Sequence, residues 1–308
     1  MQFLVVLVLF GFVAQLIDGA LGMAYGATSS TLVLAAGLTP AVASASVHLA
    51  ELGTTAVAGV SHWRFGNVDW RTVRRIGVTG AIGAFIGAVV LSSISAEIAK
   101  PWMAAILLLV GVYILVRFTL GRPPGPKDRP YVRGRYLAPL GLGAGFIDAT
   151  GGGGWGPVAT PTILATGRME PRKVVGSVDT SEFLVALSAS VGFLLSLGSQ
   201  GIKGSVVIAL LIGGVIAAPL AAWLVQKVTA RLLGTAVGGL IVITNVRTLF
   251  STYEVEAGVR WPVYLALGAV WVGAIAFVVR WHRREGLPLT NRHEPRPPRP
   301  TPASESAV

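Results

Sequence analysis

One pattern is written twice in this chain, and it limits the fold more than any other feature. Residues 11–26 read GFVAQLIDGALGMAYG and residues 143–156 read GAGFIDATGGGGWG. In each, a short apolar helix leads to an Ile-Asp pair, a glycine-rich break and a second apolar stretch. An offset of 130 residues sets Asp18 on Asp148, Gly22 on Gly152, Gly26 on Gly156 and Gly37 on Gly167. One residue more sets Pro40 on Pro171, Ser46 on Ser177 and Glu51 on Glu182. Helices broken at matching places in two hydrophobic halves are the sequence mark of a repeat-built secondary transporter.

The rest of the chain fits a membrane. It is 53% hydrophobic and only 13% charged, and a hydrocarbon core is crossed by about 20 apolar residues in a helix. Segments 40–61, 72–93, 100–119, 172–197, 204–226, 231–252 and 260–281 are span-sized. The segments flanking the two breaks, 3–17, 23–37, 136–149 and 156–166, are too short to span comfortably. Cysteine is absent, which removes disulfides, thiolate metal sites and thiol-redox chemistry together. Residues 1–17 lack both a basic n-region and a small-residue cleavage site, so they read as retained rather than as a signal peptide.

The net charge of +11 reads as topology and not as affinity for nucleic acid, because the charges lie between apolar runs and at the C-terminus. All but four of the 25 Lys and Arg residues fall in 62–75, 117–135, 167–173, 226–231 or the tail; Lys100, Lys203, Arg247 and Arg260 are the rest. The positive-inside rule puts those five groups in the cytoplasm, with the N-terminus outside. Segment 136–166 then enters and leaves on one face, as a re-entrant hairpin, and 3–37 is its counterpart from the other face. Irregular backbone at that depth is tolerated where protein shields it or where it lines a cavity.

The expected architecture is an all-α, polytopic membrane bundle of two inverted repeats. Each repeat holds one broken hairpin and three spans, over 1–119 and 135–252, with an additional span at 253–281. A proline-rich cytoplasmic joint (120–134) links the halves, and a basic tail (282–308) is expected to be disordered.

The breaks have a definite chemical use. A helix that starts after one offers unpaired N–H groups and the positive end of its dipole, which suits an anion. The candidate substrate-binding residues are therefore Gly22, Tyr25, Gly26, Thr28 and Ser29 in the first copy, and Gly152, Gly153, Gly154, Trp155 and Gly156 in the second. Two such ends facing one another would form a central pocket. Helix crossing is the alternative use of the glycines.

Charged groups inside apolar spans are expensive and become functional candidates by default. Glu51 and Glu182 fall near mid-membrane, each one helical turn beyond His48 and Asp179 respectively. With Asp18 and Asp148 they form the candidate proton-coupling set. For the two break aspartates, proton carriage and capping of the break are both open. For the others the alternative is a structural role, as hydrogen-bond partners of the hairpins. His62, Trp63 and Trp70 read as interfacial, and Arg117 and Arg247, also related by the repeat, as snorkelling.

The stretches QLIDGALGMAYG (15–26), PAVASASVHLAEL (40–52), SHWRFGNVDW (61–70), GFIDATGGGGWGP (145–157) and GSVDTSEF (176–183) together resemble the sulfite exporter TauE/SafE family of membrane transporters, over most of residues 10–250. The resemblance implies a bacterial inner-membrane permease for sulfite, sulfonates or related organosulfur anions, coupled to protons. It also implies that the break residues and the paired glutamates are the core of each half. The first copy departs from the pattern in carrying Ala27 where the second has Pro157. The expected partners are a small anion, protons and the lipid bilayer, with no nucleic acid, no cofactor and no metal; oligomeric state is open. The expected activity is transport by alternating access, the hairpin-bearing elements rocking about the joint, and not catalysis. The alternatives are an anion channel, an assembly factor or an intramembrane protease built on Asp18 and Asp148.

Overall fold

The structure, a computed structural model, describes residues 2–21, 23–121, 134–166, 168–169, 171–198, 202–224 and 230–285. These residues form eleven helices and no strand. The first half comprises α1 (Gln2–Leu21), α2 (Tyr25–Ala35), α3 (Pro40–Arg64), α4 (Trp70–Ser93) and α5 (Ala96–Leu120). The second repeats it as α6 (Gly134–Gly151), α7 (Trp155–Ala165), α8 (Pro171–Leu197), α9 (Gly204–Leu224) and α10 (Ala230–Thr252), and α11 (Ala257–Arg284) follows. Most of the linker and all but the first residues of the tail lie outside the described residues, as does Gly22.

Hydropathy misjudges the hairpins in one respect. The entering arms are longer than the apolar runs: α1 has 20 residues and α6 has 18, whereas the returning arms α2 and α7 have 11 each. An intramembrane aspartate does not end a helix whose backbone still closes its own hydrogen bonds, so both arms run past Asp18 and Asp148. The chain breaks where the backbone turns left-handed, at Gly152 (φ 72°) in the second copy and at Ala24 (φ 103°) in the first. Glycine accepts such a φ at no steric cost; alanine does not.

Five described helices, α4, α5, α8, α10 and α11, are both long and apolar enough to cross a membrane. Helix α3 is as long, with 25 residues, but Ser44, Ser46, His48, Glu51, Thr54 and Thr55 are threaded through it. Polar content in a helix otherwise buried in a bundle points to function rather than to lipid contact.

The halves are interlocked. α1 lies along α9 of the other half, and α6 lies along α4, while α3 packs on α8 and α5 on α10. Glycines bring the crossed pairs together: a side chain at Gly11 would strike the Leu210 carbonyl, and one at Gly213 the Val8 carbonyl. In the other pair, Gly83 faces the Leu142 carbonyl and Gly145 the Gly80 carbonyl. This backbone-on-backbone packing is the usual source of helix association in lipid, where burial against lipid tails gives no drive.

Two apolar cores result, and each mixes both halves. One gathers α1, α2, α5, α9 and α10 around the first hairpin, with Leu7, Met103, Leu107 and Leu210 at its centre. The other gathers α4, α6, α7 and α8 around the second, with Ile76, Leu91, Trp155 and Phe193. α3 contributes to both, through Ala43, Val47 and Ala50 on one side and Ala45 on the other. The additional helix α11 lies outside, against α10. Arg231 ties that corner: its guanidinium donates to the Phe118 (3.2 Å) and Thr119 (2.6 Å) carbonyls at the end of α5 and stacks 4.0 Å over the Trp281 ring.

Candidate functional site

The two breaks meet in the middle of the protein. Gly26 lies against Gly152 and Gly153, Gly156 lies against Met23, and the Ser30 hydroxyl donates to the Gly152 carbonyl. The structure brings Gly26 onto Gly152 and Gly153, so that backbone packs on backbone where the sequence predicts a pocket. Their closeness is steric: a side chain at Gly153 would occupy the backbone of Gly26 and Ala27.

The starts of the returning helices are already occupied by carboxyl groups that the protein itself supplies. Asp148 Oδ1 accepts from Gly154 N (2.7 Å) and Trp155 N (3.0 Å) at the start of α7. Asp18 Oδ1 accepts from Tyr25 N (3.1 Å) at the start of α2. Each aspartate thus closes its own hairpin, satisfying N–H groups that a helix start leaves unpaired. Trp155 is fully buried, its indole N–H donating to the Val178 carbonyl at 3.0 Å. The hydroxyl of Ser29 is spent on its own helix, at the Tyr25 carbonyl (2.6 Å), whereas the buried Thr28 hydroxyl has no hydrogen-bond partner.

Beyond the caps, the polar residues divide into two groups. In the first, Asp148 Oδ2 also receives His48 Nε2 at 3.1 Å, while His48 Nδ1 faces the Ser44 carbonyl at 2.8 Å. Both ring nitrogens meet oxygen acceptors, the arrangement of an imidazolium–carboxylate pair. Ser44 Oγ donates to the Ala149 carbonyl (2.7 Å), fastening α3 to the hairpin. His48 is fully buried and Asp148 nearly so.

In the second group, Asp18, Glu51, Asp179 and Glu182 line one small cavity with Gln15, Tyr25, Thr54, Thr55 and Ala58. Its volume of about 20 Å³ suits a single water. Glu51 is buried, and neither carboxylate oxygen has a hydrogen-bond partner; the buried Tyr25 hydroxyl and Gln15 Oε1 are equally unpartnered. Sequence spacing puts His48 and Glu51 in a single cluster. The structure sends them to different groups, because α3 lies between the two cores and each residue faces a different hairpin. Two larger hollows of about 340 Å³ each, one between α5, α6 and α7 and one between α3, α4 and α8, are lined mainly by apolar side chains and present no charged group.

The comparisons with known proteins agree with a transporter. A family model described as sulfite exporter TauE/SafE matches residues 7–248. The chain belongs to the sulfite exporter TauE/SafE family. A relative from Bacillus subtilis (strain 168), "Probable membrane transporter protein YtnM", is 52% identical over 280 residues, covering 91% of this chain and 93% of the relative. A second from the same organism, "Probable membrane transporter protein YdhB", is 26% identical over 148 residues, covering 47% and 60%. No solved structure matches the chain. This TauE/SafE protein is therefore a multi-pass membrane protein of a transporter family, and the match ends before α11, the helix that packs on the outside.

Sequence reasoning passes over Gln15, Thr54 and Thr55, which line the acidic cavity, and takes His62 for an interfacial residue without its partner, although its Nε2 lies 3.3 Å from Asp179 Oδ2. The repeat offset held the signal for His62: the same 131 residues that relate Glu51 to Glu182 relate His48 to Asp179 and His62 to Phe193.

Proposed function

We propose that this protein carries a small sulfur oxyanion, sulfite or a sulfonate, across the bacterial inner membrane together with protons, with its N-terminus outside and its basic tail in the cytoplasm. The observation that supports the coupling is the capping of both returning helices by Asp18 and Asp148. A substrate oxyanion and an aspartate carboxylate compete for the same N–H groups and the same positive helix end. A protonated aspartate is a weaker acceptor and carries no charge, so protonation releases the site to the substrate and substrate departure favours deprotonation. Carboxylate and substrate exclude one another, and that exclusion links the two fluxes.

The moving bodies in this reading are the two mixed cores and not the two halves of the sequence, since each hairpin is embedded with helices of the opposite half. α3, which belongs to both cores and carries His48 and Glu51, lies at the seam between them. A protease reading finds no support here, because Asp18 and Asp148 cap separate hairpins.

The test is uptake of labelled sulfite by proteoliposomes with and without a pH gradient. An inward proton gradient is expected to accelerate uptake, and Asp18→Asn to abolish the acceleration. Folded protein that moves neither sulfite nor a sulfonate under any gradient would end this reading.

A further inference from the structure

We propose that His62 and Asp179 form a one-sided proton path into the acidic cavity, and that the equivalent path in the other half is plugged by Phe193. The inference deepens the proton-coupled reading above and rests on it. It comes from laying one half on the other. In one half the series running outward from the hairpin cap is Asp148, His48, Phe193: His48 pairs with Asp148 at 3.1 Å, and its ring lies 6.1 Å from the Phe193 ring. In the other half the equivalent positions are Asp18, Asp179, His62: Asp18 and Asp179 line one cavity, and Asp179 pairs with His62 at 3.3 Å. The histidine has moved one place outward, and the place it leaves is filled by a carboxylate.

Exposure separates the two series. His48 and Phe193 are fully buried, so the first series stops in the apolar core. His62 is 29% exposed and Asp179 13%. His62 stands near the end of α3, where Trp63, Arg64, Phe65 and Gly66 are all exposed. Ala58, one helical turn before His62, and Asp179, its partner, both line the cavity, so the route from His62 inward is short. Histidine is the side chain suited to relaying protons near neutral pH.

Each step conserves the proton. Bulk water protonates His62. Its Nε2–H passes the proton to Asp179 Oδ2, and the neutral imidazole is reprotonated from water. From Asp179 the proton reaches Asp18, Glu51 or Glu182 across a cavity that one water fills. The other titratable and charged groups around this route are Tyr25 on α2, Arg64 two residues beyond His62, and Asp69 and Arg71 at the start of α4, which meets α8 where the Asp69 N–H donates to the Ser177 hydroxyl oxygen at 2.8 Å. α9 contributes Leu211 and Gly214 to this neighbourhood and no charge.

The experiment is a pH jump on the purified protein in lipid nanodiscs, with the C=O stretch of protonated carboxyls followed by time-resolved infrared spectroscopy. The proton is the only probe, so no substrate needs to be known. His62→Phe, which copies the plugged half, is expected to slow the change by about tenfold or more. His62→Glu, which restores a protonatable group, is expected to recover most of the rate. Phe193→Leu is expected to leave it unchanged. If His62→Phe does not fold, Asp179→Asn breaks the same path and is expected to slow the remaining carboxyls equally. An unchanged rate in a folded variant, or no titrating carboxyl band in the parent protein, overturns the path. Failure of sulfite transport with an intact His62 dependence would remove the substrate reading and leave the path standing.

Discussion

Asp148 and Asp18 occupy equivalent places in the two halves, yet Asp148 holds two backbone N–H groups and a histidine, whereas Asp18 holds one N–H and faces a cavity shared with three other acids. The duplication supplies the same scaffold twice, and the substitution of His48 by Asp179 at the equivalent position gives the copies different electrostatics. A balanced pair such as His48–Asp148 fixes a hairpin. Four acids around one cavity, of which Asp179 pairs with His62, have no comparable fit until something positive arrives, which makes the Asp18 half the responsive one.

The comparison breaks most completely at the contact of the two breaks. Gly153 has no room for a side chain, while the equivalent position in the first half already carries Met23. Gly153→Ala is expected to cost more than about 3 kcal/mol and to abolish monodisperse protein in size-exclusion chromatography. Met23→Ala should elute as the parent does. Equal behaviour of the two would mean that the hairpins do not pack as described.

The caps give the next largest difference. Asp148→Ala strands buried His48 and frees two helix N–H groups, an expected loss of about 3–5 kcal/mol. Asp18→Ala removes a single capping bond from a partly buried residue, an expected loss of about 1 kcal/mol. Thermal unfolding in detergent should rank Asp148→Ala well below Asp18→Ala, and a reversed order would refute the assignment of the anchored half.

The smallest effect on stability is expected at Glu51. Its carboxylate makes no hydrogen bond, so Glu51→Gln should shift stability by less than about 1 kcal/mol while removing the response of sulfite uptake to a pH gradient. Retained gradient-driven uptake would exclude Glu51 from coupling and confine the proton to Asp18, Asp179 and Glu182.

Much of the fold could be read in the chain. The break at Gly152 and the matching one near Ala24 follow from the glycine pattern, and the three helices between the hairpins follow from apolar run lengths. The ends of α1 and α6 did not, because hydropathy sees the aspartate and not the intact hydrogen-bond ladder that passes it. The separation of His48 from Glu51 was also hidden: residues one turn apart share a helix face, and only the packing of α3 between two cores assigns them different neighbours. The exchange of arms, α1 onto α9 and α6 onto α4, left no local mark beyond glycines at Gly11, Gly83, Gly145 and Gly213, since helix association in lipid depends on shape and not on patterning.

That exchange bears on how the chain is made. α1 is synthesised before α9, the surface it mainly packs on, so the first hairpin has only α3 and α5 of its own half to lean on until most of the second half has left the ribosome. α6 finds α4 already in the bilayer. The first hairpin therefore waits for α9 with its packing incomplete, and the second docks at once on α4. Biogenesis of this protein is ordered by the geometry of its finished state, and truncation before α9 leaves α1 without the helix it lies along.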